Sequence, residues 1–196
     1  MLSKSIIVPI KISFLTFLLS CSFVNAALLA GLEAYESKDY KTALVEFQTL
    51  AIDEKRSGQY HLGVMYLQGK GVIQDYKKAV KLFTLAAEQG YSLAQFILGV
   101  MYSKGRGVIQ DYKQAVKWYT LAAEQGDSDA QQNLGVMYAN GEGVIQDYVT
   151  AHMLANLSAS NGNSPKFRDY LAKKMTPSQL EQAQQKAREW IEKHGN

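Results

Sequence analysis

Three histidines, one cysteine and a scatter of hydroxyls and carboxylates are the groups in this 196-residue chain that could do chemistry. A metal site on a helix needs His or carboxylate ligands three or four residues apart, and a zinc knuckle needs paired cysteines. His61, His152 and His194 each lack a second histidine or a carboxylate at that spacing, so they read as helix-surface or internally satisfied imidazoles. Gly69-Lys70-Gly71 lacks the Gly-Lys-Ser/Thr ending of a phosphate loop, and Ser158-Ala159-Ser160 is not flanked as a nucleophile elbow. Glu88 and Glu124 recur at one repeated position and read as solvated surface, not as a paired acid and base. Asn156-Leu157-Ser158 fits a glycosylation sequon on a predicted helix, and matters only in a eukaryotic secretory route. The expectation is a noncatalytic protein with no cofactor and no metal.

The bulk numbers agree with a folded chain. It is 47% hydrophobic and 20% charged, with a mean hydropathy of −0.18. One cysteine excludes a disulfide scaffold within the chain. The net charge of +3 and a pI near 8.8 invite a nucleic-acid reading. Lys77, Lys78 and Lys81 do make a small basic face, echoed by Lys113 and Lys117. Asp75, Glu88, Asp111 and Glu124 interleave with it, so no sustained basic stripe forms and nucleic acid is not expected as a partner.

Part of the positive charge belongs to the N-terminus. Lys4 and Lys11 precede the apolar run Ile12–Leu19, which leads into the small residues around Ala26. Basic start, short apolar core and small residues describe an export signal over 1–26, with Val24 and Ala26 placed for cleavage after Ala26. The run is too short for a membrane span. Leu18-Leu19-Ser20-Cys21 resembles a bacterial lipobox, which leaves open a lipid anchor at Cys21 instead. Either cut leaves a net charge of about +1. The expected location is the periplasm or the exterior, with anchoring to the outer membrane as the alternative.

What must position any functional residue is a repeat. Leu62-Gly63-Val64-Met65-Tyr66 recurs 36 residues later as Leu98–Tyr102 and again as Leu134–Tyr138. Gly71-Val72-Ile73-Gln74-Asp75-Tyr76 recurs at 107–112 and 143–148. Blocks 57–92 and 93–128 agree at about 25 of 36 positions, a period expected of stacked helical hairpins. Each block reads as two helices. Ser92 with Gln95, and Ser128 with Gln131, have capping-box spacing at the start of the first helix. Gly69, Gly105 and Gly141 end that helix, and Val72 and Ile73 are expected to tuck the loop onto the core. Asp75, Asp111 and Asp147 are set as N-caps of the second helix, which Gly90, Gly126 and Gly162 terminate. No stretch alternates as a strand does.

The pattern Ala-Gln-x-x-Leu-Gly-x-x-Tyr, Gly-x-Gly-Val, Asp-Tyr-x-x-Ala, Ala-Ala-Glu-Gln-Gly resembles the Sel1-like repeat, a relative of the tetratricopeptide repeat. The resemblance covers three units, at 57–92, 93–128 and 129–164. It departs in having Ile73, Ile109 and Ile145 where the family often has proline, and in the altered second helix of the third unit, Ala151–Leu157. Residues 27–56 look like a degenerate N-terminal hairpin, with Asp39-Tyr40 standing 36 before Asp75-Tyr76. Residues 165–196 resemble capping helices; Thr176-Pro177-Ser178-Gln179 opens the last one, with Leu180, Ala183, Ala187, Trp190 and Ile191 as its apolar stripe. The implied fold is all-α: a right-handed α-solenoid of stacked helix-turn-helix repeats with capping helices.

Such arrays bind partners on the concave face lined by their first helices. By similarity, the first-helix positions outside the packing signature are Tyr60, Val64, Leu67 and Gln68; Phe96, Val100, Ser103 and Lys104; Gln132, Val136, Ala139 and Asn140. Tyr60 and Phe96 have two readings, groove contact or packing against neighbouring hairpins. The resemblance implies a scaffold for a protein or peptide partner. Immunity against a secreted toxin is the related alternative. A β-lactamase-like hydrolase is the alternative of another class, though the members so described are rich in cysteine and this chain has one.

Overall fold

The computed structural model describes residues 26–195; the export signal expected over 1–26, with Cys21, lies outside them but for Ala26. A helix over 26–36 (α1) is followed by α2 (Tyr40–Ile52), α3 (Arg56–Gln68), α4 (Tyr76–Glu88), α5 (Ser92–Lys104), α6 (Tyr112–Glu124), α7 (Ser128–Asn140), α8 (Tyr148–Ser160), α9 (Lys166–Ala172) and α10 (Pro177–His194). Each helix from α2 to α8 packs on the next in the chain, α5 also touches α7, and α9 and α10 both pack on α8. No strand occurs among the described residues.

The hairpins form because every bond at their ends is provided locally. Asp75, Asp111 and Asp147 cap α4, α6 and α8, each carboxylate accepting the backbone N–H three residues on. The same aspartates donate their own N–H to Tyr66, Tyr102 and Tyr138, tying the loop back to the first helix at 2.9–3.0 Å. Gly105 closes α5 in the left-handed region at φ 65°. Two residues on, a side chain at Gly107 would lie 2.5 Å from the Tyr76 carbonyl, so glycine lets this loop sit on the start of the preceding repeat's second helix.

Within each hairpin the close approach is ring to glycine. A Cβ on Gly63 would meet the Phe83 ring at 2.9 Å, and one on Gly99 the Tyr119 ring at 2.5 Å. Gly31 meets Phe47 the same way, at 2.5 Å. The N-terminal hairpin is therefore a true fourth hairpin: its second helix is in 36-residue register, while its first is 32 residues ahead of α3, because the loop is four residues shorter. The third repeat differs. Ala155 replaces the ring, and Phe167 from α9 comes within 3.5 Å of the Gly135 position instead.

Two expectations fail here. The N-caps of α5 and α7 are Tyr91 and Asp127, with no capping box. Gln95 and Gln131 are instead buried, at 4% and 2% exposure. Each donates to the last turn of the preceding hairpin, at Ala87 and Ala123, and accepts from the amide at the end of its own hairpin, Gln125 or Asn161. They need two hairpins in contact, which no local spacing rule describes. The second failure is the loop isoleucine. Val72 packs on the N-terminal core, but Ile73, Ile109 and Ile145 are each 91% exposed. The backbone bonds and Gln74, Gln110 and Gln146, whose amides donate to Leu67, Ser103 and Ala139, hold the loop without them.

Candidate functional site

The first helices carry two kinds of residue. Gln59, Leu62, Gly63 and Met65 of α3 and their counterparts in α5 and α7 are buried. The remaining positions fall in rows of equal register: Tyr60, Phe96 and Gln132; Val64, Val100 and Val136; Gln68, Lys104 and Asn140. Rows one and two are half-buried and row three is exposed. Spaced four residues apart on each helix, the rows share one face.

Tyr60 lies between rings, 5.0 Å from Tyr91 and 5.9 Å from Phe83. Burial, with the charges of Tyr91 and Asp127 nearby, pushes its phenol above the usual range. Phe96 sits 6.0 Å from Tyr119. Each packs against its neighbours, as one of the two readings has it, and keeps a half-open face. Val64 and Val100 also rest on the core beneath. Ala139 does not belong to the open set; at 7% exposure it packs with Ala151, Ala155 and Leu171. Leu67 is half-buried, and the Ser103 hydroxyl donates to Val100 within its own helix.

At the N-terminal end the face is continued by α1, where the Tyr35 hydroxyl donates to Gln68 Oε1 at 2.9 Å. Lys70 Nζ lies 4.8 Å from the Tyr35 ring centre and 5.8 Å from that of Tyr40, a cation held over two aromatic faces. Tyr35 was not singled out from the sequence, and Tyr40 and Lys70 were not read as part of this face. The shortened loop hides the register of Tyr35, which the four-residue shift aligns with Leu67. At the far end Asn140 donates to Glu142 at 3.4 Å, so the face runs from aromatic and cationic to amide and acidic.

None of this is catalytic geometry. His61 stacks on Phe47 at 4.9 Å, and burial pushes its imidazole down to about 4. His152 is buried with Nδ1 unpartnered, and burial, with Arg168 nearby, lowers its pKa. His194 leans on Trp190 at 4.4 Å, with Nε2 3.9 Å from Glu124. Each is a single histidine among apolar neighbours or beside one acid. Among the described residues no group of three or more His, Cys, Asp or Glu is placed to hold a metal ion, and no helix is long and apolar enough to cross a membrane.

Comparison with known proteins places the arrangement. The family model described as Sel1 repeat matches three times, over residues 56–91, 92–127 and 128–163. No curated protein matches the chain. Among solved structures, the chain is similar to a Sel1 repeat protein from Oxalobacter formigenes, at 34% identity and a TM-score of 0.66 over 69% of this chain and 54% of that one. It is also similar to c5321, a protective antigen of uropathogenic Escherichia coli strains displaying an SLR fold, at 32% identity and a TM-score of 0.60. That match covers 78% of this chain and 41% of the antigen, so the chain spans about half or less of either relative.

Proposed function

The chain belongs to the Sel1 repeat family, whose members are generally noncatalytic protein-interaction scaffolds, and we propose that it is an exported scaffold holding a segment of a protein partner on its first-helix face. The observation that carries this reading is the division of labour along α3, α5 and α7. One set of positions is wholly committed to the core, while three rows in equal register remain half-buried or exposed on one continuous face. A bound segment would meet apolar stems in the middle of the face and polar ends along its edge, the combination that binds and orients a peptide. The aromatic and cationic end at Tyr35, Tyr40, Tyr60 and Lys70 would take the apolar or acidic end of that segment.

Export rests on the composition of residues 1–26, and places the scaffold in the periplasm or outside the cell, free or anchored through Cys21. The fractionation of a tagged chain tests this, with a Cys21→Ala variant to separate anchoring from release. The face is tested by a photo-crosslinking residue placed singly at Val64, Val100 or Gln68, with Lys77 on the second-helix side as control. The expected result is one discrete adduct from the first-helix positions and none from Lys77. Adducts of equal yield from all four sites would remove the reading. Truncating Tyr60 and Phe96 is the poorer test, because both rings also pack the hairpins together.

A further inference from the structure

We propose that the edge formed by the loops of the first two repeats docks on an anionic lipid surface, with Ile73 and Ile109 entering the apolar layer and the bases around them meeting the headgroups. The loops stack into one strip. A Cβ on Gly71 would lie 2.8 Å from Tyr40, one on Gly107 2.5 Å from the Tyr76 carbonyl, and one on Gly143 2.5 Å from Tyr112. Each loop therefore rests on the start of the preceding second helix. Ile73, Ile109 and Ile145 stand on that strip at one register, 36 residues apart, and each is 91% exposed. Tyr76 and Tyr112, three residues after the first two, are 37% and 36% exposed.

Nothing inside the fold uses these isoleucines. Gln74 and Gln110 close their loops through Leu67 and Ser103, and the Asp75 and Asp111 N–H groups bond back to Tyr66 and Tyr102. The neighbouring Val72 and Val108 pack on the cores beneath. Each of these two loops thus carries a pair of adjacent β-branched residues, one turned to the core and one held out in water.

The charge around the tips says what they meet. Ile73 borders a shallow depression with Tyr66, Asp75 and Lys78, and Lys78 Nζ lies 5.1 Å from the Tyr66 ring centre. Lys77 and Lys78 are exposed near Ile73, and Arg106 and Lys113 near Ile109. The acids among them, Asp75 and Asp111, are the helix caps, whose carboxylates accept the N–H groups of Lys78 and Gln114. Lys70, held over Tyr35 and Tyr40, and Lys104 belong to the first-helix face. The third loop reverses the sign. Glu142 stands where the first two have Lys70 and Arg106, Val149 and Thr150 stand where α4 has Lys77 and Lys78, and Asp147 engages Lys186 of α10. The N-terminal loop, at Ser37 and Lys38, has no apolar tip. Separate apolar tips among cations do not form the shaped groove that a partner helix needs. A lipid layer closes around each tip by itself, its anionic headgroups attract the bases, and tyrosines such as Tyr76 and Tyr112 suit its interface. This edge does not use Val64, Val100 or Gln68, so either proposal can fail alone.

The test is co-sedimentation with vesicles of phosphatidylcholine containing about one-third phosphatidylglycerol, against phosphatidylcholine alone. It uses residues 26–196, which carry every described helix and omit the apolar run Ile12–Leu19, able to bind lipid by itself. The expected result is binding to the anionic vesicles that weakens as salt rises and is slight on the neutral ones. Ile73→Ser/Ile109→Ser should weaken it about tenfold or more, and Lys77→Gln/Lys113→Gln should weaken it too, while Ile145→Ser should change it little. All these side chains lie at the surface, so far-UV circular dichroism and the urea midpoint should stay at wild type. Absence of binding to the anionic vesicles overturns the proposal. So does binding that Ile73→Ser/Ile109→Ser leaves intact, which charge alone would explain, or binding that Ile145→Ser weakens as much. Self-association lost in the same double variant, with no vesicle binding, would make a second copy the cover of these tips and equally overturn the assignment to lipid.

Discussion

Replacing Gln95 with alanine should cost this protein more than any exposed substitution, and the loss should fall between hairpins. The Gln95 side chain is 4% exposed. Its amide donates to the Ala87 carbonyl at 3.0 Å, and its oxygen accepts from Gln125 at 2.6 Å. Alanine removes two hydrogen bonds worth about 1 kcal/mol each, while the Ala87 carbonyl keeps the Gly90 N–H at 2.9 Å and so is not left unpaired. The total, about 2 kcal/mol, is a sizeable share of the ~5–15 kcal/mol that holds a domain of this size together. Urea titration followed by far-UV circular dichroism and by tryptophan fluorescence measures both size and place. Trp118 and Trp190 lie on α6 and α10, so fluorescence reports the C-terminal hairpins while dichroism reports all of them. In the wild type the two transitions should coincide. In Gln95→Ala the dichroism midpoint should fall first, because the link between α4 and α5 is weakened while repeat 3 keeps its own bridge through Gln131. A cost below about 1 kcal/mol with coincident transitions would refute the bridge and match the loss of a local helix cap.

Gly99→Ala places a Cβ 2.5 Å from the Tyr119 ring, whereas Gly135→Ala meets nothing nearer than 3.2 Å. Chemical denaturation should therefore show Gly99→Ala losing about 1–3 kcal/mol and Gly135→Ala less than half of that. Ile109→Ser, at a side chain 91% exposed, should leave stability within about 0.5 kcal/mol, and a larger loss would restore the loop's expected apolar anchoring. His61 is held neutral, its pKa lowered by burial from 6.5 to about 4. Its contribution is complete above pH 6.5 and is lost as pH falls toward 4, because the unfolded chain binds the proton first. The unfolding free energy of the wild type should drop by about 2–3 kcal/mol more than that of His61→Phe across this window.

The sequence made the hairpins readable because their signals are local. An aspartate three residues before the N–H it accepts, and a glycine just past a helical run, mean the same thing in any context, and Asp111 and Gly105 mean it here. The second-order features were not readable. Gln95 has the spacing of a capping residue, and nothing along the chain shows that a preceding helix will present Ala87 to it. Ile73, Ile109 and Ile145 look like core because they are large and repeated, but the loop's bonds are satisfied without them. For the candidate face, the resemblance to such arrays picked out Tyr60, Val64, Gln68, Phe96, Val100, Lys104, Gln132 and Asn140, which lie in three rows of equal register. It could not reach Tyr35, whose register depends on a loop shortened by four residues, nor the pairing of Lys70 with that ring.

The third repeat shows how the same chain stops being a repeat. A solenoid must end, and its last hairpin would leave an apolar flank in water. On α8 the substitutions are matched one by one to what arrives. The ring that packs on glycine in the first two repeats becomes Ala155, and the room is taken by Phe167 from α9. The lysine of α4 and α6 becomes Met153, and α10 covers it. Leu157 keeps its identity but changes its environment from half-buried to buried. The departures that looked like decay in the alignment are therefore the complement of the capping helices. At α2 the departures have another form: Val45 and Ile52 stand where α4 and α6 carry a lysine and a glutamate, and both are exposed among the described residues.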